Sequence, residues 1–62
     1  SMEIAIQVNG KLRGSVEVPV DTDKDEIINL SMKVENVQKF IEDLEVIKEI
    51  YVPNKLVNLV VK

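Results

Sequence analysis

The most restrictive feature of this sequence is Asn9-Gly10, which stands between two stretches of alternating apolar and polar residues. Apolar side chains recur at every second position from Glu3 to Val8, and apolar positions or Gly14 do so from Leu12 to Val18. That period is typical of strands with one buried face. Asn-Gly suits a type I′ turn, in which both central residues take a positive φ. The pattern therefore predicts an antiparallel hairpin.

Burial predicts the register of this hairpin. A plain two-residue loop would place Val8 opposite Lys11 and Ile6 opposite Arg13, with cations on the apolar face. A loop that includes Lys11, or a bulge just after it, gives a second register. Its pairs are Val8–Leu12, Ile6–Gly14 and Ile4–Val16 on the apolar face, and Ala5–Ser15 and Gln7–Arg13 on the other. Because a one-residue slip moves every side chain to the opposite face, we expect this second register and a polar, open face.

Two short helices are predicted after Pro19, which ends the second strand. Asp23 and Glu26 have the spacing of a capping box at a helix start. Helical spacing then connects Ile27, Leu30, Ser31 and Val34, and again Val37, Phe40, Ile41 and Leu44. We predict a break near residues 33–36, with Asn36 as a cap of the second helix; a single bent helix is the alternative.

A second hairpin is predicted from Val46–Val52 and Leu56–Val61, which are rich in β-branched residues. Pro53 and Asn54 suit a β-turn between them, and a two-residue loop would pair Tyr51 with Leu56 and Ile50 with Val57. The last strand is apolar on both sides, which predicts a central position in the sheet.

The predicted fold is α+β with the order ββααββ, in which two hairpins form one four-stranded sheet and two short helices cover one face. Residues 1–62 are expected to be a single domain, with Ser1 before Met2 as a vector-derived remnant.

The composition excludes most catalytic chemistry. The chain has no cysteine and no histidine, so carboxylates are the only candidates for catalysis or metal binding. The acidic residues near the first helix start are better explained by capping than by a cation site, since they lack the spacing of a calcium loop: Asp21, Asp23, Asp25 and Glu26. We therefore expect no catalytic residue and no metal ligand, and no apolar run is long enough for a membrane span.

Binding is the better prospect, although the net charge of −3 argues against an independent nucleic-acid binder. Lys11, Arg13 and Lys55 are predicted beside the two turns, with Lys48 and Lys62 nearby. Together they could hold RNA phosphates, or they could serve only solubility and discourage edge pairing. Phe40, on the apolar face of the second helix, is interpreted as a core residue, and Tyr51 as a structural residue.

Three segments resemble the C-terminal end of bacterial-type leucyl-tRNA synthetase. They read QVNGKLRG from Gln7, ENVQKFI from Glu35 and IYVPNKLVNLVVK from Ile50 to the last residue, and they agree with that family in order and spacing. Two positions depart from the family pattern: Ser15 stands where many relatives have a basic residue, and Asn54 replaces a frequent glycine.

The resemblance implies a small, tethered, non-catalytic appendage that helps to hold leucine tRNA at its elbow. Lys11, Arg13 and Lys55 match basic positions of the family and become candidate tRNA contacts. ATP and leucine would bind elsewhere in the parent enzyme, whose remainder would act in cis, in the cytoplasm, with neither DNA nor membrane as a partner. From the residues alone, a protein-interaction or self-association module is the alternative.

Overall fold

The computed structural model describes all of residues 1–62 and has an α+β architecture. The elements are β1 (Met2–Val8), β2 (Lys11–Val18), α1 (Lys24–Lys33), α2 (Glu35–Ile41), β3 (Val46–Val52) and β4 (Leu56–Val61). Two antiparallel hairpins form one sheet of order β2-β1-β4-β3, joined by parallel pairing of β1 with β4. The predicted fold class and the central position of β4 are confirmed.

The β1–β2 register is the predicted one except next to the turn. Ile6 lies opposite Gly14, and the predicted pairs Ala5–Ser15 and Ile4–Val16 also form. The loop, however, is a plain two-residue turn, with Val8 opposite Lys11 and Gln7 opposite Leu12. The predicted pairs Val8–Leu12 and Gln7–Arg13 are therefore wrong. A bulge beyond Leu12 allows the turn to have two residues and still places Gly14 and Val16 opposite the apolar residues of β1. Its consequence is that Leu12 is 66% exposed.

The β3–β4 register differs from the prediction by one residue. Tyr51 lies opposite Val57 and Val52 opposite Leu56, so the predicted pairs Tyr51–Leu56 and Ile50–Val57 are wrong. The reason is that Lys55 is left out of this ladder and its carbonyl oxygen accepts a hydrogen bond from the Ala5 N–H of β1, at 3.0 Å. Asn54 takes the predicted left-handed conformation, with φ 63°.

The two helices begin and end largely as predicted. Asp23 caps α1, because its side chain accepts a hydrogen bond from the Glu26 N–H at 3.0 Å. Val34, with ψ 125°, breaks the helical path and confirms two helices. Asn36 as a cap is wrong, since Val34 holds that position without any side-chain hydrogen bond. Neither helix has the length and hydropathy needed to cross a membrane.

The core lies between the helices and one face of the sheet. Its buried aliphatic side chains come from all elements except β3: Ile4, Ile6, Val8, Val18, Ile27, Ile28, Val37, Val57, Leu59 and Val61. Ser31 is the one buried polar residue, and its hydroxyl donates to the Ile27 carbonyl at 2.7 Å. A Cβ on Gly14 would lie 3.4 Å from side-chain carbons of Val34 and Val37, so this glycine lets β2 approach the helices closely.

Candidate nucleic-acid interface

The Asn9-Gly10 turn presents Lys11 at one end of the sheet. Asn9 and Gly10 have φ values of 52° and 83°, the positive values that such a turn requires. Two side-chain hydrogen bonds attach the turn to β4. The Gly10 N–H donates to Asn58 Oδ1 at 3.0 Å, and the Val61 N–H donates to Asn9 Oδ1 at 2.9 Å. This reciprocal pair, the asparagine clasp, explains the only polar side chain of β4 and holds the backbone from which the exposed Lys11 extends.

Arg13 lies at the bulge of β2 and packs against a helix. Its guanidinium carbon is 4.1 Å from the centre of the Phe40 ring, which is the distance of a cation–π contact. The Nε atom of Arg13 is buried without a hydrogen-bond partner. The side chain is thus half-buried, and its remaining donors are on the two terminal nitrogens.

Lys55 is anchored through its backbone on both sides. Its N–H donates to the Val52 carbonyl at 3.0 Å and closes the β3–β4 turn, and its carbonyl accepts from the Ala5 N–H at 3.0 Å. Its side chain is exposed. The tip of the second hairpin therefore presents one exposed cation from a backbone position that is hydrogen-bonded on both sides.

Arg13 and Lys55 border one shallow depression on the sheet face that no helix covers, although the guanidinium of Arg13 itself lies against Phe40 of α2. The other residues that line it are Glu3, Ala5, Leu12, Gly14 and Ser15. Parallel pairing places Leu56 beside Ala5, while Ser15 lies opposite Ala5 on the other side. Lys55 and the bulge of β2 therefore flank β1 from its two sides.

Lys11 does not belong to this depression. It lies opposite Val8, whose partner in β4 is Leu59, near the far end of that strand. Lys48 pairs with Val60, so Lys48 and Lys62 lie toward the same end of the sheet as Lys11. The predicted basic set is thus divided between Arg13 and Lys55 at the depression and Lys11 at the Asn9-Gly10 turn.

Two features of this surface are absent from the sequence prediction. Glu3 places a carboxylate in the same depression, where the Ser15 hydroxyl donates to its Oε2 at 3.4 Å. Phe40 was expected in the core, but it is 43% exposed and lies under Arg13. No local signal distinguishes Phe40 from a core residue, because its helical spacing is that of an apolar face; only the bulge brings Arg13 over its ring.

The acidic residues near α1 do not gather into a ligand set. No three carboxylates anywhere in the structure are placed to hold a metal ion together. Asp23 is occupied as the cap of α1, as predicted.

Comparison with known proteins assigns the chain to a class. No family model matches. The chain is 59% identical over 59 residues to the leucine–tRNA ligase of Chloroherpeton thalassium, a match that covers 95% of this chain and 7% of that protein. It is 52% identical over 61 residues to the leucine–tRNA ligase of Chlorobaculum tepidum, covering 98% of this chain and 8% of the relative.

A solved structure shows the same fold. It is the crystal structure of the ternary complex of Agrobacterium radiobacter K84 agnB2 LeuRS-tRNA-LeuAMS, with a TM-score of 0.93, 30% identity, and coverage of 98% of this chain and 8% of that one. The relatives and this structure define the class as aminoacyl-tRNA ligases. More particularly, the chain belongs to the leucyl-tRNA synthetase family, where it matches the C-terminal region. It spans less than a tenth of the length of these relatives.

Proposed function

We propose that this chain is a tRNA-binding appendage of a leucyl-tRNA synthetase and helps to hold leucine tRNA at its elbow during aminoacylation. The proposed contacts are Lys11, Arg13 and Lys55. The observation that carries the proposal is the depression lined by Arg13 and Lys55, which places two cationic residues on either side of β1, one held against Phe40 and the other anchored through its backbone. Two cations at fixed backbone positions suit a phosphate backbone, which is recognised by charge and shape.

The rest of the enzyme completes this function. Residues 1–62 act as one non-catalytic unit, while ATP and leucine bind to the remainder of the synthetase in the cytoplasm. Tethering answers the objection raised by the net charge of −3, because the body of the enzyme supplies a high effective concentration of the same tRNA. The structural relative at TM-score 0.93 was solved with tRNA, which supports this partner class.

An amide NMR titration of the chain with leucine tRNA at low salt tests the proposal. We expect shifts near Lys11, Arg13 and Lys55 that fade as salt rises, and no such pattern with duplex DNA. Single charge reversals K11E, R13E and K55E should each weaken binding and reduce the slope of log affinity against log salt by about one. K24E is the matched control, because Lys24 is an exposed lysine at the start of α1 and an acidic residue suits that position. Equal weakening by K24E would reject a specific surface.

A second candidate function is favoured by the aliphatic residues of the uncovered sheet face. Leu12, Ile50 and Val52 are 66%, 37% and 37% exposed. The pairs Ile50–Asn58 and Val52–Leu56 place the last two on the face opposite the core. Such a face could bury itself against a second copy or another protein. Sedimentation over a range of concentrations tests self-association. If the chain sediments as a monomer at every concentration and L12K does not change its sedimentation, self-association is rejected.

A further inference from the structure

The contact between Phe40 and Arg13 is not required by the core. The buried residue of α2 is Val37, whereas Phe40 is 43% exposed beside it. An aromatic side chain left at the surface forgoes part of its burial energy unless another group covers it. Arg13 supplies that cover, with its guanidinium 4.1 Å from the ring centre.

The contact restricts how Arg13 can move. A planar guanidinium over a ring has one face occupied, which leaves the N–H groups along its edge available to another partner. The buried Nε, which has no partner, shows that the inner part of the side chain is enclosed as well. A free arginine side chain loses rotamer entropy when it binds a ligand, and this loss reduces the affinity. Because Arg13 is already held against Phe40 in the folded domain, less entropy is lost when it binds.

We infer that Phe40 is a positioning residue for tRNA binding: it orients Arg13 so that the terminal nitrogens meet one backbone phosphate. The inference rests on the proposed function, because it names how one of its contacts is prepared. Arg13 would donate two parallel hydrogen bonds from its terminal nitrogens to that phosphate. Phe40 itself does not touch the RNA.

A double-mutant cycle tests this role in a full-length enzyme. The chain replaces the matching residues of the Chloroherpeton thalassium ligase, with which it is 59% identical over 59 residues. The dissociation constant for leucine tRNA is measured for the chimera and for its F40L, F40Y, R13Q and F40L/R13Q variants. Leucine-dependent ATP–pyrophosphate exchange confirms that the body of each enzyme is intact, and circular dichroism of the 62-residue variants confirms that the substituted domain is folded.

We expect R13Q to weaken tRNA binding about ten-fold, as for the loss of a charge-assisted contact. F40L should weaken it about two- to five-fold, the range of an exposed cation–π contact. F40Y, which retains the ring, should bind as the unmodified chimera does. In the R13Q background, F40L should have no further effect, because Phe40 acts only through Arg13. In NMR spectra of the 62-residue chain, F40L should also remove the ring-current shift of the Arg13 side-chain protons.

The outcomes separate this inference from the proposed function. If R13Q leaves the dissociation constant unchanged, Arg13 is not a tRNA contact. The proposed function then fails for Arg13, and the positioning role of Phe40 fails with it. If R13Q weakens binding but F40L does not, or F40L weakens it equally in both backgrounds, only the positioning role of Phe40 is overturned.

Discussion

The asparagine clasp should contribute a large share of the free energy of unfolding of this small domain. Substitutions of Asn9 can separate the contribution of its side-chain hydrogen bond from that of its left-handed backbone conformation. Asn9 has a positive φ of 52°, and its Oδ1 accepts a hydrogen bond from the Val61 N–H at 2.9 Å. N9G keeps the backbone conformation and loses the bond, which should cost about 1 kcal/mol. N9A also loses the bond, and alanine has neither the freedom of glycine nor the polar side chain that lets asparagine adopt the left-handed region, so it should cost about 1–2 kcal/mol more than N9G.

These costs are large on the scale of the whole chain. Domains have about 0.05–0.15 kcal/mol of stability per residue, or about 3–9 kcal/mol for this length. N9A, at about 2–3 kcal/mol, should therefore lower the melting temperature by roughly 10–20 °C. N9D is the matched control, since aspartate keeps the acceptor oxygen and tolerates the turn, and it should lie within about 0.5 kcal/mol of the parent.

Urea and thermal unfolding followed by circular dichroism measure these differences. The expected order of destabilisation is N9A above N9G above N9D. If N9D costs as much as N9G, the hydrogen bond to Val61 contributes nothing measurable. If N9A costs no more than N9G, the positive φ of Asn9 is not a constraint in solution.

Two further predictions concern the two faces of the sheet. G14L should destabilise the fold by about 1–3 kcal/mol in urea unfolding, because even a Cβ at this position lies 3.4 Å from Val34 and Val37. S15L, one residue along on the uncovered face, is the control and should stay within about 0.5 kcal/mol; equal losses would contradict the close approach of β2 to the helices. E3Q should strengthen tRNA binding by about 0.2–1 kcal/mol, because it removes the carboxylate beside Arg13 and Lys55. The control is E35Q at the start of α2, away from the depression, and a gain there as large as that of E3Q in the same titration would refute a local effect.

The order and type of the elements could be predicted from the sequence because their signals are local. Alternation, the Asp23 cap and the Asn9-Gly10 pair each act within a few residues. The registers of the β1–β2 and β3–β4 hairpins could not be predicted in full, because they depend on contacts that each hairpin makes with the rest of the domain. The Lys55 carbonyl turns to Ala5 of another hairpin, and the bulge of β2 reconciles a turn preference with burial beneath the helices.

The candidate site was predictable as a list of cations but not as an arrangement. Which part of the first hairpin lies beside Lys55 depends on the parallel pairing of β1 with β4, which no short motif encodes. Phe40 illustrates the same limit, because helical spacing identifies an apolar face but not the residue at its margin that another strand covers.

If the chain is tethered as proposed, the direction of β1 determines how the tether acts on this domain. A chain that enters at Met2 arrives at the end of β1 opposite the Asn9-Gly10 turn, and the seven residues of β1, at about 3.3 Å each, separate these points by about 20 Å. If the linker bends, the domain behaves as a short lever with its pivot at Met2. Lys11 at the far tip then sweeps the widest arc, while Arg13 and Lys55 lie closer to the pivot and move less.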